Sequence, residues 1–86
     1  MRLEYIDQER DGVVVRALKL HPSGAGFVRE HEAAAYIGVS FSQLRKMRRN
    51  GDSFDEADIK KIGNSYWYRL TGLNFYIEEV CAFRAA

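Results

Sequence analysis

The sequence predicts a small α+β domain with short strands, a helix–turn–helix and a closing helix. Three observations predict it: β-branched and aromatic runs around short glycine-containing turns, apolar residues at helical spacing, and a Gly-Val-Ser break between two helical segments. The length of 86 residues and the hydrophobic fraction of 47% suit one buried core rather than a disordered chain. We therefore expect residues 1–26 to form an N-terminal extension and residues 27–86 to form the main domain.

The N-terminal extension contains a predicted β-hairpin and a linker. A short apolar segment, Leu3 to Ile6, precedes the polar sequence DQERDG, a predicted turn that ends at Asp11-Gly12, and the β-branched start of VVVRALKL follows. HPSGAG at 21–26 holds the only proline of the chain and two of its glycines, which is typical of a linker. We expect the hairpin either to extend the sheet of the main domain or to stay loosely attached to it.

Two predicted helices follow the linker. The first covers about 29–37, with apolar residues along one face, and Gly38 ends it. The second begins after Ser40, where SFSQ forms a capping box: the Ser40 hydroxyl accepts a bond from a backbone amide, and the Gln43 side chain reaches back. Asn50-Gly51 is a good stop signal and ends this second helix.

A hairpin and a closing helix complete the predicted domain. The runs DIKKI and YWYRL flank the tight turn Gly63-Asn64-Ser65 and predict two antiparallel strands, and SFDE at 53–56 predicts a single helical turn before them. The closing helix is expected to run from the N-cap Thr71 to about Phe83, with Trp67 packed against it. Its inner stripe is expected to hold apolar side chains at helical spacing: Leu73, Tyr76, Ile77, Val80 and Phe83.

The first two helices have the residue pattern of a helix–turn–helix. Ala33 and Ala34 let two helices approach closely, and Gly38 supplies a turn position at which a positive φ costs little. Leu44 and Met47 lie on the inner side of the second helix. Its opposite side carries hydrogen-bonding and charged groups: Ser42, Gln43, Arg45, Lys46 and Arg49. A DNA-recognition helix requires this partition, although two packed helices with a solvated basic face would show it too.

The segment from about Val28 to Val80 resembles the small winged-helix domains of the excisionase/AlpA group, which are relatives of the MerR DNA-binding domain. HEAAAYIGVSFSQLRKMRRNG is similar to their first two helices, IKKIGNSYWYRL to their wing and TGLNFYIEEV to their closing helix. The resemblance covers more than half of the chain. It implies a winged helix with a two-stranded wing.

That resemblance also implies a function, sequence-specific binding of double-stranded DNA. The protein would be an excisionase (a recombination directionality factor) or a small transcriptional regulator, of phage or mobile-element origin. The residues implied to face the major groove are Ser42, Gln43, Arg45, Lys46 and Arg49. By donor–acceptor matching, Gln43 can pair with adenine, and Arg45 or Lys46 with guanine. The residues implied to contact phosphates or the minor groove through the wing are Lys60, Lys61, Asn64 and Arg69.

One such domain reads only a few base pairs, so useful affinity requires more than one contact. We therefore expect a homo-oligomer or a cooperative array on DNA, or an integrase or other protein partner. The charge pattern agrees with a local DNA-binding surface, because residues 27–51 carry five basic and two acidic side chains although the net charge of the chain is only +1.

Three features depart from the pattern of that family. Arg29 stands where a hydroxyl N-cap is usual. Phe41 replaces a usually polar residue, so it is expected either to join the edge of the core or to contact a thymine methyl group. The connection from Gly51 to Lys60 is longer than usual and carries four carboxylates: Asp52, Asp55, Glu56 and Asp58. These carboxylates would weaken DNA binding unless they point away from the phosphates.

Composition and motifs argue against several other classes of protein. The single cysteine, Cys81, excludes an internal disulfide framework and most zinc sites. We see no phosphate-binding loop, metal cluster or nucleophile arrangement, so the protein is expected to be no enzyme and to need no metal or cofactor. No apolar run approaches the roughly 20 residues of a membrane span, and the N-terminus is no signal peptide. A cytoplasmic location is therefore expected.

Two other readings of the same fold remain open. The winged helix could have become a protein–protein interaction module, with the acidic connection and Phe75 as its contacts, since Phe75 falls opposite the apolar stripe of the closing helix. It could also serve as a phage DNA-packaging factor, because some terminase small subunits look similar in this region.

Overall fold

The computed structural model describes residues 4–10, 12–19, 26–51 and 53–81. Within them the chain forms an α+β fold, a five-stranded antiparallel sheet with three helices. The strands are β1 Tyr5–Arg10, β2 Val13–Leu18, β3 Phe27–Arg29, β4 Ile59–Ile62 and β5 Ser65–Arg69. The helices are α1 Glu30–Ile37, α2 Phe41–Asn50 and α3 Leu70–Phe75, and the chain continues from α3 through π-helical turns at Tyr76–Cys81. The predicted linker at 21–26 lies outside the described residues except for Gly26.

The strand order is β1-β2-β3-β5-β4, so the two hairpins of the chain lie at opposite edges of one sheet. The short β3 joins them. It pairs with β5 from Phe27 opposite Arg69 to Arg29 opposite Trp67, but it pairs with β2 only at Leu18. The hairpin predicted from DIKKI and YWYRL is confirmed as the pair β4–β5, in register from Ile59 opposite Tyr68 to Ile62 opposite Ser65.

The N-terminal hairpin extends this sheet, which was one of the two expectations for it. Its predicted turn was too long, because β1 reaches Arg10 and pairs it with Val13, so only two residues connect the strands. The polar residues of DQERDG suggest a turn, but DQER forms the second part of β1. An edge strand can hold polar residues because one of its faces is exposed to solvent. Gly12, with φ +81°, supplies the left-handed backbone that so tight a connection needs.

The helix ends follow the expected signals at the helix–turn–helix. The Ser40 Oγ accepts a hydrogen bond from the Gln43 amide at 3.0 Å, which confirms the N-cap of α2. Gly38 and Gly51 end α1 and α2 in the left-handed region, with φ +81° and +72°. The single helical turn of the acidic connection lies at Glu56–Asp58, with Asp55 as its cap.

The predicted N-cap of the closing helix was wrong. Helix α3 begins at Leu70, directly after β5, and Thr71 lies inside it. No side chain caps this end; instead the Leu70 amide donates to the Gly26 carbonyl at 3.0 Å, a partner distant in sequence. Of the expected inner stripe, Leu73 and Tyr76 are buried and Ile77 is half-buried, and the side chains of Val80 and Phe83 lie outside the described part.

The main core lies between the helices and one face of the sheet. Its members come from both hairpins, from β3 and from all three helices, and they include Val28, Tyr36, Leu44, Tyr68 and Leu73. Tyr36 also donates a hydrogen bond to the Asn74 side chain at 2.6 Å, which joins α1 to α3. In the described part of the chain, no helix has both the length and the apolar character that crossing a membrane requires.

Trp67 is buried, as expected, but its expected partner was wrong. It packs with Leu18 and Phe27 in a second cluster on the face of the sheet away from the helices. Side chains of a strand alternate between faces, so Tyr68, the next residue, is the one that joins the main core.

Candidate nucleic-acid interface

Helix α2 is fixed at both ends and buried along one side. The Ser40 cap and the left-handed Gly51 define its ends. Leu44 is fully buried and Met47 is 8% exposed, and both belong to the main core. With one side anchored in this way, the opposite side of α2 has to face solvent.

The five residues predicted for the major groove all lie on that exposed side: Ser42, Gln43, Arg45, Lys46 and Arg49. Among the described residues none of these cations forms an ion pair with a carboxylate. The first turn of α2 contains no acid, and its last turn contains Arg48 and Arg49, which suits the helix dipole. This side of α2 therefore presents hydrogen-bonding groups and positive charge to solvent.

Phe41, the first residue of α2, points outward and does not join the core. Its side chain is 45% exposed and it belongs to neither apolar cluster. The Arg45 guanidinium lies over its ring, 5.7 Å from the centroid. One of the two expectations for Phe41, a place at the core edge, is thus wrong.

Arg48 is the one arginine of α2 that turns inward. Its Nε donates to the Glu30 Oε2 at 2.6 Å, and its second guanidinium nitrogen lies 3.4 Å from the Oε1. The Tyr68 hydroxyl also donates to the Glu30 Oε2, and the guanidinium stacks over the Tyr66 ring at 3.7 Å. Glu30 itself is only 7% exposed. This cluster, which we term the Glu30 cluster, ties the end of α2 to the start of α1 and to β5.

Protonation equilibria keep the Glu30 cluster intact near neutral pH. Burial, and then the hydrogen bond to Glu30, raises the pKa of the Tyr68 phenol, so it stays a neutral donor. The hydrogen bond from Arg48 to Glu30 raises the pKa of the guanidinium more than burial lowers it, so Arg48 stays charged. Sequence reasoning missed this cluster. One feature of the sequence could have indicated the cluster: helical periodicity places Arg48 on the same side of α2 as the apolar residues Leu44 and Phe41.

The four residues predicted for the wing do not lie together. Lys60, Lys61 and Asn64 are exposed, but strand alternation places Lys60 and Lys61 on opposite faces of the sheet. Lys61 shares the face of the helices, with its Nζ 5.7 Å from the centroid of the Tyr66 ring. The Nζ of Lys60 lies 5.5 Å from the centroid of the Phe27 ring, on the far face.

Arg69, the fourth wing residue, is engaged within the protein. Its Nε lies 3.6 Å from the Asp58 Oδ1, and its guanidinium donates to the Ala57 carbonyl at 3.4 Å. The guanidinium also lies over the Phe27 ring, 5.4 Å from the centroid. Arg69 thus anchors the acidic connection to the sheet.

The described carboxylates of the acidic connection are held in different ways: Asp58 is ion-paired, Asp55 is an exposed helix cap and Glu56 is exposed. Asp55 accepts a hydrogen bond from the Ala57 amide at 2.9 Å, and Asp58 pairs with Arg69. Asp58 also packs tightly against Gly72 of α3, where an added Cβ would lie 2.7 Å from its Oδ2. Glu56 remains exposed, and Asp52 lies outside the described residues.

Two grooves separate α2 from the wing. The larger, of about 430 Å³, lies near the C-terminal end of α2 and is lined by Arg48, Glu56, Lys61 and Tyr66, among others. The smaller, of about 210 Å³, lies between the first turn of α2 and the wing turn, where Phe41 faces Asn64 and Ser65. Among the described residues no group of histidine, cysteine and carboxylate side chains could hold a metal ion.

Comparisons with protein-family models, with curated proteins and with solved structures find no match for this chain.

Proposed function

We propose that this protein is a sequence-specific double-stranded DNA-binding protein with a winged helix–turn–helix. In this proposal α2 is the recognition helix in the major groove, and the β4–β5 hairpin is the wing beside it. The observation that carries the proposal is the partition of α2. Leu44 and Met47 are buried, whereas all five candidate base-reading residues are exposed on the other side, and none of their cations is ion-paired with a described carboxylate.

The chemistry of the exposed strip suits the edges of base pairs. The B-DNA major groove admits an α-helix, and there guanine presents two acceptors while adenine presents a donor and an acceptor. Arg45 or Lys46 matches guanine, and Gln43 matches adenine, by donors and acceptors alone. Arg49 and Lys61 add positive charge on the same side of the molecule, where phosphates would lie on either flank of the groove.

The Glu30 cluster supports a reading role because it fixes the direction in which α2 points. A helix that reads bases must hold its side chains to within fractions of an ångström, and rigid support lowers the entropy lost on binding. Arg48 gives α2 such support at its C-terminal end, and the Ser40 cap orders its N-terminal end. Within the acidic connection, Asp58 is ion-paired with Arg69, so this one carboxylate opposes DNA binding less than its charge alone suggests.

In the cell such a domain would act without catalysis, as an excisionase or a small transcriptional regulator of phage or mobile-element origin. Only a few base pairs fit against a helix of ten residues. A second copy, a cooperative array on DNA or an integrase would therefore supply the remaining affinity. A DNA-packaging role would use the same surface and differs only in the partner recruited.

The proposal is tested by selecting targets from a random duplex library and titrating the selected duplex over a series of salt concentrations. We expect Arg45→Ala/Lys46→Ala to lower affinity for the selected duplex by about 100-fold and to lose its sequence preference. The matched control is Arg16→Ala/Lys19→Ala, which removes the same charge from exposed positions at β2, away from α2. Equal losses of affinity in both variants would mean that binding depends on the net charge of the protein and not on α2. No duplex binding by the wild type at low salt would reject the proposal.

A second candidate function rests on one observation at the end of α3. Phe75 is 64% exposed, and it borders a groove of about 270 Å³ lined by Phe54, Asp55 and Asp58. An exposed aromatic side chain beside carboxylates suits a protein partner with apolar and basic side chains. If the protein binds no duplex DNA, capture of a partner that Phe75→Ser abolishes would favour this interaction module.

A further inference from the structure

We propose that Phe41 reads the C5-methyl group of a thymine in the DNA target, one or two base pairs from a guanine read by Arg45. This inference rests on the DNA-binding function proposed above and specifies part of the target. It assigns a role in specificity to a residue that carries no hydrogen-bonding group.

The position of Phe41 is the first support for this role. Phe41 opens α2, and the N-terminal residues of a recognition helix are those that contact base edges. Its neighbours Ser42 and Gln43 are exposed polar residues, so the aromatic ring stands within a polar surface. A large apolar side chain at the edge of such a surface gains further burial only when a partner covers it.

The contacts of Phe41 argue against a structural role. Its ring belongs to neither apolar cluster, and the polar group that lies over it is the guanidinium of Arg45, which also points outward. One side of the ring lines the groove of about 210 Å³ whose other walls are the start of α1 and the turn at Asn64. Because the Arg45 guanidinium lies 5.7 Å from the ring centroid, DNA that contacts the exposed side of α2 would meet the two groups together.

Base chemistry selects thymine as the partner of the ring. Thymine is the only unmodified base that shows a methyl group in the major groove, and apolar side chains recognise it by contact. The Arg45 guanidinium offers the paired donors that match the O6 and N7 of guanine. Phe41 and Arg45 stand four residues apart, about 6 Å along the helix axis, and base pairs are about 3.4 Å apart. The two bases should thus be separated by one or two steps.

The test replaces thymines of the selected duplex, one at a time, by deoxyuridine, which lacks only the methyl group. Wild type and Phe41→Ala are titrated against each duplex, and Phe41→Leu serves as a variant that keeps an apolar side chain. We expect one substitution to weaken wild-type binding about fourfold, the effect of one buried methyl group. We expect that same substitution to have no effect on Phe41→Ala and a reduced effect on Phe41→Leu. Circular dichroism spectra of the variants exclude unfolding as the cause of a loss.

The outcomes separate this inference from the function on which it rests. Specific wild-type binding that is insensitive to every deoxyuridine would reject the role of Phe41 and leave the DNA-binding function standing. If a deoxyuridine substitution weakened binding equally in wild type and Phe41→Ala, another residue would make the methyl contact. That result would also reject the role of Phe41. Absence of any duplex binding would reject both. The proposal also predicts the distance between the two bases. If the thymine whose methyl group affects binding lay three or more base pairs from the guanine that Arg45 recognises, the proposed arrangement of Phe41 and Arg45 would be contradicted.

Discussion

At the residue scale, the Glu30 cluster explains how an acidic side chain can be buried beside α2, the proposed recognition helix. A buried carboxylate without partners would cost several kcal/mol, but Glu30 accepts bonds from Arg48 and Tyr68. The arginine is also stacked on Tyr66, so both charges are satisfied within a few ångströms. Removing Glu30 would leave the Arg48 guanidinium without its carboxylate. Removing Arg48 would leave the buried Glu30 carboxylate without its cation.

This arrangement predicts strong coupling between Glu30 and Arg48. We expect Glu30→Met and Arg48→Met each to lower the free energy of unfolding by about 3 kcal/mol. The double variant should lose less than the sum, because no uncompensated charge remains. Urea denaturation of the four proteins measures this coupling. Additive losses would mean that the two side chains contribute independently and that the cluster does not orient α2.

At the element scale, the structure changes what can be expected of the wing. Sequence reasoning treated Lys60 and Lys61 alike, because both lie in a short basic strand. Pairing of β4 with β5 places Lys60 opposite Trp67 and Lys61 opposite Tyr66, so only Lys61 shares the face of α2. The two lysines thus form a matched pair of variants within one strand.

We expect Lys61→Ala to weaken binding to specific and random duplexes alike and to lower the slope of log affinity against log salt by about 1. Lys60→Ala should change both quantities much less, because its side chain faces away from α2. Titrations of the two variants over a series of salt concentrations give both slopes. A larger effect from Lys60 would mean that DNA contacts the far face of the sheet, against the proposed docking.

Local signals explain which elements could be predicted from the sequence. The Ser40 cap, the glycines at 38 and 51 and the turn at 63–64 act through neighbouring residues, and the structure has them where they were expected. The start of α3 could not be predicted, because the Leu70 amide finds its partner in Gly26, far away in sequence. Strand β3 was missed as well: Phe27 and Val28 favour a strand, but three residues are too few to show alternation, and the pairing partners of β3 lie far away in sequence.

At the scale of the whole molecule, the N-terminal hairpin and the β4–β5 hairpin lie at opposite edges of one sheet. The helices cover only one face of that sheet. The outer side of α2 could be predicted from helical periodicity alone, whereas the positions of Lys60, Arg69 and the Glu30 cluster depend on pairings between distant segments. The net charge of +1 therefore conceals a molecule with one locally basic side.

The central claim, that α2 reads the major groove, is tested most directly by methylation interference on the selected duplex. Methylation at guanine N7 blocks the major groove, and methylation at adenine N3 blocks the minor groove. We predict that N7 methylation of at least one guanine excludes wild-type protein, and that Arg45→Ala no longer distinguishes the methylated guanine from the unmodified one. Interference confined to adenine N3, or an N7 effect that persists unchanged in Arg45→Ala, would contradict the assignment of α2 as the recognition helix.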